Sequence, residues 1–467
     1  MSETYDYLVK GCGASAMAFV DVMLRETDAT FAIVDKRPSP GGHWNDAYPF
    51  VRLHQPSALY GVASRALGYG RLDEHGFNVG LHELASGFEV ADYFHQVMRD
   101  HFLPSGRVRY FPMSQITDDG LVVGLLNGDK HHVAPRRSLV DATMLRTSIP
   151  LTHIRGFAVE GGVACVPPND LPRLAPGYRH FTVLGAGKTA IDALLWLLSH
   201  GVGPDQLSWV MPRDPWLFNR VNLQPGVEFF DAAVGGLADQ LEVCATAHSI
   251  EDLCLGMEAL GRWLRIDPHV WPTMFHGASV TPIELEQLRR VKHIIRKGLV
   301  TRLEPGRIDL EGGVVVAPES SLYVDCTARA HGRSQGDTTP VFAPGRISLQ
   351  LVRRFQPSFS AALIGHIEAS IPDFETRRAM TRVVPMNDTV EDWVVSEPDN
   401  LLNQFAWSAD PALAAWIADC RLDQSGAIVN RIDATDASKV AVLDRMQEHA
   451  GPAVANLQRL AGRLEAA

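Results

Sequence analysis

The stretch VLGAGKTAID, residues 183–192, decides between two folds. It closes a β-branched run and begins an apolar helix, so a strand, a turn and a helix are predicted. GKT suggests the phosphate loop of a nucleoside triphosphatase, but that loop needs a glycine where the chain has Thr182. Gly185, Gly187 and Ala190 instead match G-x-G-x-x-A, in which the glycines permit a tight turn and close approach to a pyrophosphate. The dinucleotide interpretation is therefore favoured.

A second turn of this kind lies near the N-terminus, in YDYLVKGCGASAMAFVDVMLRET, residues 5–27. Gly11, Gly13 and Ala16 have the same spacing, between a predicted strand and an apolar helix. Ala14 and Ser15 would begin that helix, whose N-terminus favours anionic phosphates. Two such turns predict two bound dinucleotides.

The strand ends that follow the two turns differ in charge. Asp35, followed by Lys36, ends TFAIVDK and can accept hydrogen bonds from ribose hydroxyls; a carboxylate on a surface turn is the alternative. Arg213 follows the corresponding strand of the second unit and can pair with a 2′-phosphate; a solvated loop arginine is the alternative. Lys188 and Thr189 are further candidate phosphate contacts, or solvated residues. This pattern predicts FAD at the first turn and NADPH, rather than NADH, at the second.

The segment RPSPGGHWNDAYPFVRLHQPSALYGV, residues 37–62, carries a family resemblance. GGHW followed by a Tyr-Pro pair resembles the GGxW segment of class B flavin monooxygenases, which include flavin-containing, Baeyer–Villiger and N-hydroxylating enzymes. The resemblance implies that Gly41, Gly42, His43 and Trp44 neighbour FAD. RLHQPS resembles the segment beside the isoalloxazine ring, although family members often carry Asn where this chain has His54. His54 and Trp44 are thus candidate catalytic residues.

Three further stretches resemble the same family. MPRDPW, residues 211–216, resembles its arginine-bearing NADPH segment. SLYVDCTARAHG, residues 321–332, resembles the strand that returns to the flavin domain and implies Asp325, with Cys326 and Thr327, near the cofactors. FSAALIGHIEAS, residues 359–370, resembles the last strand and turn and implies Gly365 and His366 at a helix N-terminus beside the flavin pyrimidine. The family's FxGxxxHxxx signature does not occur in PPNDLPRLAPGYRH, residues 167–180, so a divergent member is expected.

The predicted fold class is α/β, with two Rossmann-like dinucleotide-binding domains, the NAD(P) domain being inserted in the FAD domain. Residues 1–150 and 321–400 are assigned to the FAD domain and residues 175–320 to the NAD(P) domain. A helical insertion is predicted at about 225–297, to cap the active site or cover the sheet, and a strand meander over 296–317. A helical extension, 401–467, would serve as a lid, dimer contact or cover, broken in two by Pro452.

Composition limits the remaining possibilities. The net charge is −11 with a pI near 5.9, which argues against nucleic-acid binding. The sequence shows no signal peptide and no long apolar span, so a soluble cytoplasmic protein is expected. The 18 histidines and six cysteines show no metal-ligand spacing, and no metal is predicted. Trp271 and His276 are expected either to line a substrate pocket or to pack against neighbouring residues without a functional role.

The resemblance implies an FAD-dependent, NADPH-consuming monooxygenase that transfers one oxygen atom from O2 to a small organic substrate through a flavin peroxide. The alternatives are an FAD/NAD(P)H dehydrogenase or reductase, a flavin-dependent halogenase, and a non-catalytic flavin-binding protein. A homodimer is a further possibility.

Overall fold

A computed structural model describes residues 3–117, 120–145, 147–328, 339–433 and 435–465. Its strands, in chain order, are β1 (Glu3–Lys10), β2 (Phe31–Val34), β3 (Val108–Phe111), β4 (Ser114–Ile116), β5 (Leu121–Gly124), β6 (Lys130–Asp141), β7 (Ala158–Val159), β8 (Cys165–Val166), β9 (His180–Leu184), β10 (Leu207–Val210), β11 (Leu217–Asn219), β12 (Trp263–Leu264), β13 (Ser279–Val280), β14 (His293–Ile295), β15 (Val300–Glu304), β16 (Arg307–Leu310), β17 (Gly313–Val316), β18 (Ser321–Asp325), β19 (Phe342–Ala343) and β20 (Arg346–Ser348). Its α-helices are α1 (Ala14–Glu26), α2 (Gly87–Val97), α3 (Leu171–Leu174), α4 (Lys188–Ser199), α5 (Gly236–Thr246), α6 (Ile250–Ala259), α7 (Pro282–Arg289), α8 (Pro357–Ser370), α9 (Phe374–Ala379), α10 (Val390–Ser408), α11 (Pro411–Asp419), α12 (Gln424–Val429) and α13 (Ala437–Glu465).

The first unit is the sheet ordered β19-β20-β6-β1-β2-β3, together with α1, α2 and α8. β5 pairs with β6, and β4 pairs with β5. Its central strands β6, β1, β2 and β3 run parallel. All four residues of β2, FAIV, are buried, as in parallel strands covered on both faces. The first glycine turn therefore joins the middle of this sheet to α1.

The second unit is the parallel sheet ordered β14-β10-β9-β18-β8, with α4 and α7. Its central strands β9, β10 and β18 are buried along almost their whole length. The second glycine turn joins β9 to α4. β18 pairs with β9, so residues 321–325 belong to this sheet and the predicted domain boundary at 321 must move past it.

The third unit combines parts of the chain that the sequence analysis assigned separately. It contains α5, α6, α10, α13 and the small sheet β12-β11-β13, around a core that includes Trp216, Trp263 and Trp393. α10 begins at Val390, so the predicted boundary at 400 falls inside a helix. The insertion and the C-terminal helices thus share one core.

Of two local predictions, the strand meander and the helix break at Pro452, one is confirmed and the other is wrong. The strand meander is confirmed, since β15, β16 and β17 pair antiparallel in order, with β7 at the edge. The predicted break at Pro452 is wrong, because α13 runs through it as one helix. Packing of α13 against α5 and α10 holds that helix together despite the missing backbone donor of proline.

No helix in the described part of the chain is both long enough and apolar enough to cross a membrane.

Candidate functional site

The first glycine turn has the geometry that its sequence predicts. Gly11 has a φ of +96°, which favours glycine, and an added Cβ would lie 3.1 Å from Thr143 Cγ2. Gly13 is the N-cap of α1, with Ala14 and Ser15 in the first turn. A glycine N-cap has no side chain to occupy the first amides, and the described first turn of α1 contains no acidic residue. These N–H groups are suited to an anion.

Asp35 lies beside this turn with both carboxylate oxygens engaged. The backbone N–H of Cys12 donates to Asp35 Oδ2 at 2.5 Å, and that of Arg37 donates to Oδ1 at 2.7 Å. The side chain is buried, whereas the adjacent Lys36 is exposed. A carboxylate oxygen accepts more than one hydrogen bond, so Asp35 retains acceptor capacity for ribose hydroxyls.

The Gly41–Gly42 pair packs directly on the first turn. Both residues are left-handed, with φ of +109° and +59°, and Gly41 N–H donates to Cys12 O at 2.8 Å. A Cβ on Gly42 would lie 3.0 Å from Gly13 Cα. Two loops that are far apart in sequence therefore form one glycine-only surface, which a larger residue would fill.

The aromatic residues after this pair are held rigidly. His43 stacks on Trp44 with ring centroids 5.2 Å apart, and Trp44 Nε1 donates to Tyr60 Oη at 2.8 Å. Burial lowers the pKa of His43 to about 4, so this imidazole is neutral near pH 7. Trp44 is packed against the first-unit core, with part of its surface open.

The second turn, at Gly185, is equally intolerant of a side chain. Gly185 has a φ of +115°, and a Cβ there would lie 2.6 Å from the carbonyl oxygen of Cys326. Gly187 is the N-cap of α4, and a Cβ there would meet nothing within 4 Å. Thr189 lies in the first turn and Ala190 is fully buried. Gly185 therefore shapes the turn, while Gly187 leaves space in front of α4.

Lys188 does not lie free in that space. Its Nζ contacts the Asp192 carboxylate and donates to the Arg52 carbonyl at 3.2 Å. Asp192 in turn accepts from Tyr48 Oη at 2.7 Å. Lys188 therefore links α4 to the segment that follows Gly41–Gly42. These contacts explain the position of its side chain without a bound phosphate.

His54 lies at this junction of the two units. Its carbonyl oxygen accepts from Ser279 Oγ of β13, and its Nδ1 is buried without a hydrogen-bond partner among the described residues. Burial, reinforced by Lys188 and Arg220, lowers the pKa of His54 to about 3. The side chain is a neutral imidazole whose Nδ1 has no partner in the described part of the chain.

Asp325 is held by side chains of its own neighbourhood. It is buried at the end of β18 and accepts from His153 Nε2 at 2.9 Å, Arg155 Nε at 3.0 Å and Thr327 Oγ1 at 2.7 Å. These partners make it an anchor of the second unit. The last residues of SLYVDCTARAHG, 329–332, lie outside the described residues.

The sequence analysis missed an equivalent residue in the first unit. Asp141, at the end of β6, accepts from the N–H and Oγ1 of Thr143, just as Asp325 accepts from Thr327. Each Asp-x-Thr element lies against the first glycine of a turn, Gly11 or Gly185. The repeated D-A-T and D-C-T triplets were the available signal.

The prediction for Gly365 and His366 is wrong. α8 begins at Pro357, so both residues lie well inside the helix. A Cβ on Gly365 would lie 3.1 Å from Phe19 O of α1, and His366 Nδ1 pairs with Glu26 at 2.6 Å while its ring stacks on Trp416. Gly365 permits close packing of two helices, and His366 fastens α8 to α1 and α11.

The true N-terminus of α8 carries residues that the sequence analysis missed. Gln356 Oε1 and Ser358 Oγ are buried without partners in the described structure. Phe355, just before them, has a φ of +56°, and its ring occupies the space over Gly277. A bulky residue in the left-handed region is strained, and such strain concentrates at functional sites.

Arg213 follows β10 as predicted, but it is already paired. Its Nη1 and Nη2 donate to the two carboxylate oxygens of Asp388, both at 2.7 Å. His276 Nε2 lies 2.7 Å from Asp388 Oδ1. Trp271 packs edge-on against Trp216, with ring centroids 5.5 Å apart. The fit of Arg213 to a 2′-phosphate is therefore poor as the structure stands.

A cavity of about 260 Å³ lies between the segment 50–84 and α4. Its walls include Phe50, Lys188, Trp196 and the buried Arg220–Glu284 ion pair, whose closest atoms are 2.9 Å apart. The cavity adjoins the segment that carries His54. Among the described residues no group of three potential metal ligands comes together.

Comparison with known proteins places the chain in a family. No protein-family model matches it. The uncharacterized protein Rv2000 of Mycobacterium tuberculosis (strain ATCC 25618 / H37Rv) is 43% identical over 455 residues, 97% of this chain and 84% of the relative. The uncharacterized protein Mb2023 of Mycobacterium bovis matches equally. The chain belongs to the family of these mycobacterial proteins.

Among the solved structures that the chain resembles in fold are several monooxygenases. Polycyclic ketone monooxygenase from Thermothelomyces thermophila has a TM-score of 0.49 at 14% identity, over 98% of this chain and 87% of that one. A flavin monooxygenase from Stenotrophomonas maltophilia has a TM-score of 0.45 at 14% identity, over 80% and 100%. An oxidized steroid monooxygenase bound to NADP has 0.46 at 13%, over 79% and 84%. Because these scores are below 0.5, any cofactor assignment depends on this chain's own residues.

Proposed function

We propose that the protein is an FAD- and nicotinamide-dependent oxidoreductase of the monooxygenase type, acting with O2 on a small organic substrate. The observation that carries this proposal is the pair of glycine turns, each joining the central strand of a parallel sheet to a helix with a glycine N-cap. Two such turns on facing units suit two dinucleotides. Fold likeness alone would not justify an activity.

The first unit supplies the residues that would hold FAD. The amides of Gly13, Ala14 and Ser15 at the start of α1 would face the pyrophosphate, and Asp35 would offer an acceptor for ribose hydroxyls. The surface formed by Gly13 and Gly42 leaves room for close approach of a pyrophosphate. The residues present therefore fit the group.

The second unit would hold the nicotinamide nucleotide at Gly185, Gly187 and the first turn of α4. Bound FAD and a bound nicotinamide nucleotide would together supply hydride transfer and reduction of O2. The chain would contribute their placement. Lys188 of the second unit holds the carbonyl of Arg52, and Ser279 of the third unit holds the carbonyl of His54, so the segment 52–54 is fixed where the two cofactors would meet.

His54 and the buried residues around it would govern the meeting point. A neutral imidazole with a free Nδ1 can accept or donate one hydrogen bond without adding charge. Trp44, which packs against the first-unit core, would help to exclude water from the reacting groups. Gln356 and Ser358 offer two further unsatisfied polar atoms at the start of α8.

The test uses visible absorption of the purified protein with two matched variants. Flavin bands should appear, bleach on anaerobic addition of a nicotinamide nucleotide and return in air with an oxygenated product. Gly13→Ala should lower flavin occupancy, whereas Gly187→Ala should keep flavin but raise the Kd for the nicotinamide nucleotide at least about tenfold. A colourless protein that does not bind added FAD would refute the proposal. Bleaching without any oxygenated product would leave a reductase or dehydrogenase, and halide-dependent product would indicate a halogenase.

A further inference from the structure

Arg213 lies where a dinucleotide-binding unit reads the adenosine ribose. It follows β10, the strand beside the turn-bearing β9, at the carboxyl edge of the second sheet. At this place a carboxylate recognises the 2′-hydroxyl of NADH, and an arginine accommodates the 2′-phosphate of NADPH. The choice between the two nucleotides therefore depends on which charge is available here.

The structure supplies both charges, and they neutralise each other. Arg213 makes a bidentate pair with Asp388, so the Nη1/Nη2 edge of its guanidinium is occupied by a carboxylate. The Asp388 side chain is 52% exposed and Arg213 is 39% exposed. The carboxylate of Asp388 is therefore open to solvent and can accept further hydrogen bonds. The two Nη donors of Arg213 that point toward Asp388 are already used.

Asp388 is held in place from several directions. Its N–H donates to Asp392 Oδ2 at 2.9 Å, and its carbonyl accepts from Phe275 N–H at 2.8 Å. His276 Nε2 lies 2.7 Å from its Oδ1. The Arg213 guanidinium holds the pKa of the Asp388 carboxyl well below its usual range, so the group is anionic at neutral pH.

We propose that Asp388 determines nicotinamide preference: it accepts a hydrogen bond from the ribose 2′-hydroxyl of NADH and repels the 2′-phosphate of NADPH. This inference rests on the proposed function and replaces the NADPH expectation with NADH. Binding of a 2′-phosphate at the Nη1/Nη2 edge of Arg213 would require breaking a bidentate ion pair, and binding at any other donor of this arginine would place a second anion beside the Asp388 carboxylate.

The experiment measures binding and turnover on the flavin-loaded protein. Calorimetry gives the Kd of NAD⁺ and NADP⁺, and steady-state assays give KM and kcat for NADH and NADPH. The wild type should bind NAD⁺ at least about tenfold more tightly than NADP⁺. Asp388→Asn, which frees the Arg213 fork, should reverse that ratio mainly through NADP⁺ binding and KM. Asp388→Ser also removes the carboxylate and should shift the ratio of the two Kd values in the same direction.

Two controls separate the possible outcomes. Asp239→Asn removes another carboxylate paired with an arginine, Arg445 at 2.7 Å, and should leave the ratio unchanged. The double variant R213A/D388N should bind both nucleotides about equally. A wild type that prefers NADP⁺ and loses that preference in Arg213→Ala alone would overturn the inference while the proposed function stands. Absence of both flavin and nicotinamide binding would overturn both.

Discussion

At the scale of single residues, His54 shows how burial decides protonation. Its imidazole lies at the junction of the two units, where desolvation, Lys188 and Arg220 disfavour the charged form. The sequence identified His54 only through a motif, and a motif carries no information about burial. Residues distant in the chain bury the imidazole of His54, and this burial leaves its Nδ1 without a partner among the described residues and keeps the ring neutral.

This protonation state gives a pH-dependent prediction. The folded pKa of about 3 lies below the unfolded value near 6.5, so only the unfolded state takes up a proton as the pH falls between them. Stability should therefore fall from pH 6.5 toward pH 3, and His54→Asn should reduce this loss by about 2 kcal/mol at pH 5. Urea unfolding at pH 7.5 and pH 5 measures the difference. His95→Asn, which removes an exposed histidine of α2, is the control. Equal pH dependence in wild type and His54→Asn would contradict the prediction.

At the scale of elements, local patterns predicted the turns but not every helix boundary. Gly11, Gly13, Gly185 and Gly187 lie between strand and helix as predicted, because the spacing of these glycines is a local pattern that can be read from the sequence. FSAALIGHIEAS, in contrast, is buried on nearly all sides, and a short apolar run reads equally well as a strand or a helix. The pairing of Arg213 with Asp388 was also beyond a local pattern, since its partners are far apart in the chain.

The contact between α1 and α8 gives a prediction at this scale. Gly365→Leu would place a side chain where Phe19 O is only 3.1 Å from an added Cβ, so the two helices must separate. Overpacking of this kind should lower the free energy of unfolding by about 2 kcal/mol. Gly462→Leu in α13, where a Cβ meets nothing within 4 Å, is the matched control and should change it little. Both are measured by chemical denaturation at pH 7.5. Similar stability in the two variants would show that α1 and α8 do not depend on this glycine.

At the scale of the whole molecule, the third unit is the least predictable feature. Its core joins Trp263 of the insertion to Trp393 of α10, with ring centroids 5.3 Å apart, and α13 closes it over α5. Each helix alone shows only an apolar face, which suits a lid, a dimer contact or a cover equally well. The partner of such a face is set by the path of the whole chain.

A shared core implies that its parts lose structure together. Leu457→Ala in α13 removes a fully buried side chain and should destabilise the third unit by about 3 kcal/mol. Hydrogen exchange should then become faster in α5 and α6 as well as in α10 and α13, while β1 and β9 keep their protection. Val395→Ala, at a 49% exposed position of α10, should leave exchange unchanged. If exchange rises in α13 alone, the C-terminal helix is an independent cover, and the insertion is stabilised by the second unit instead.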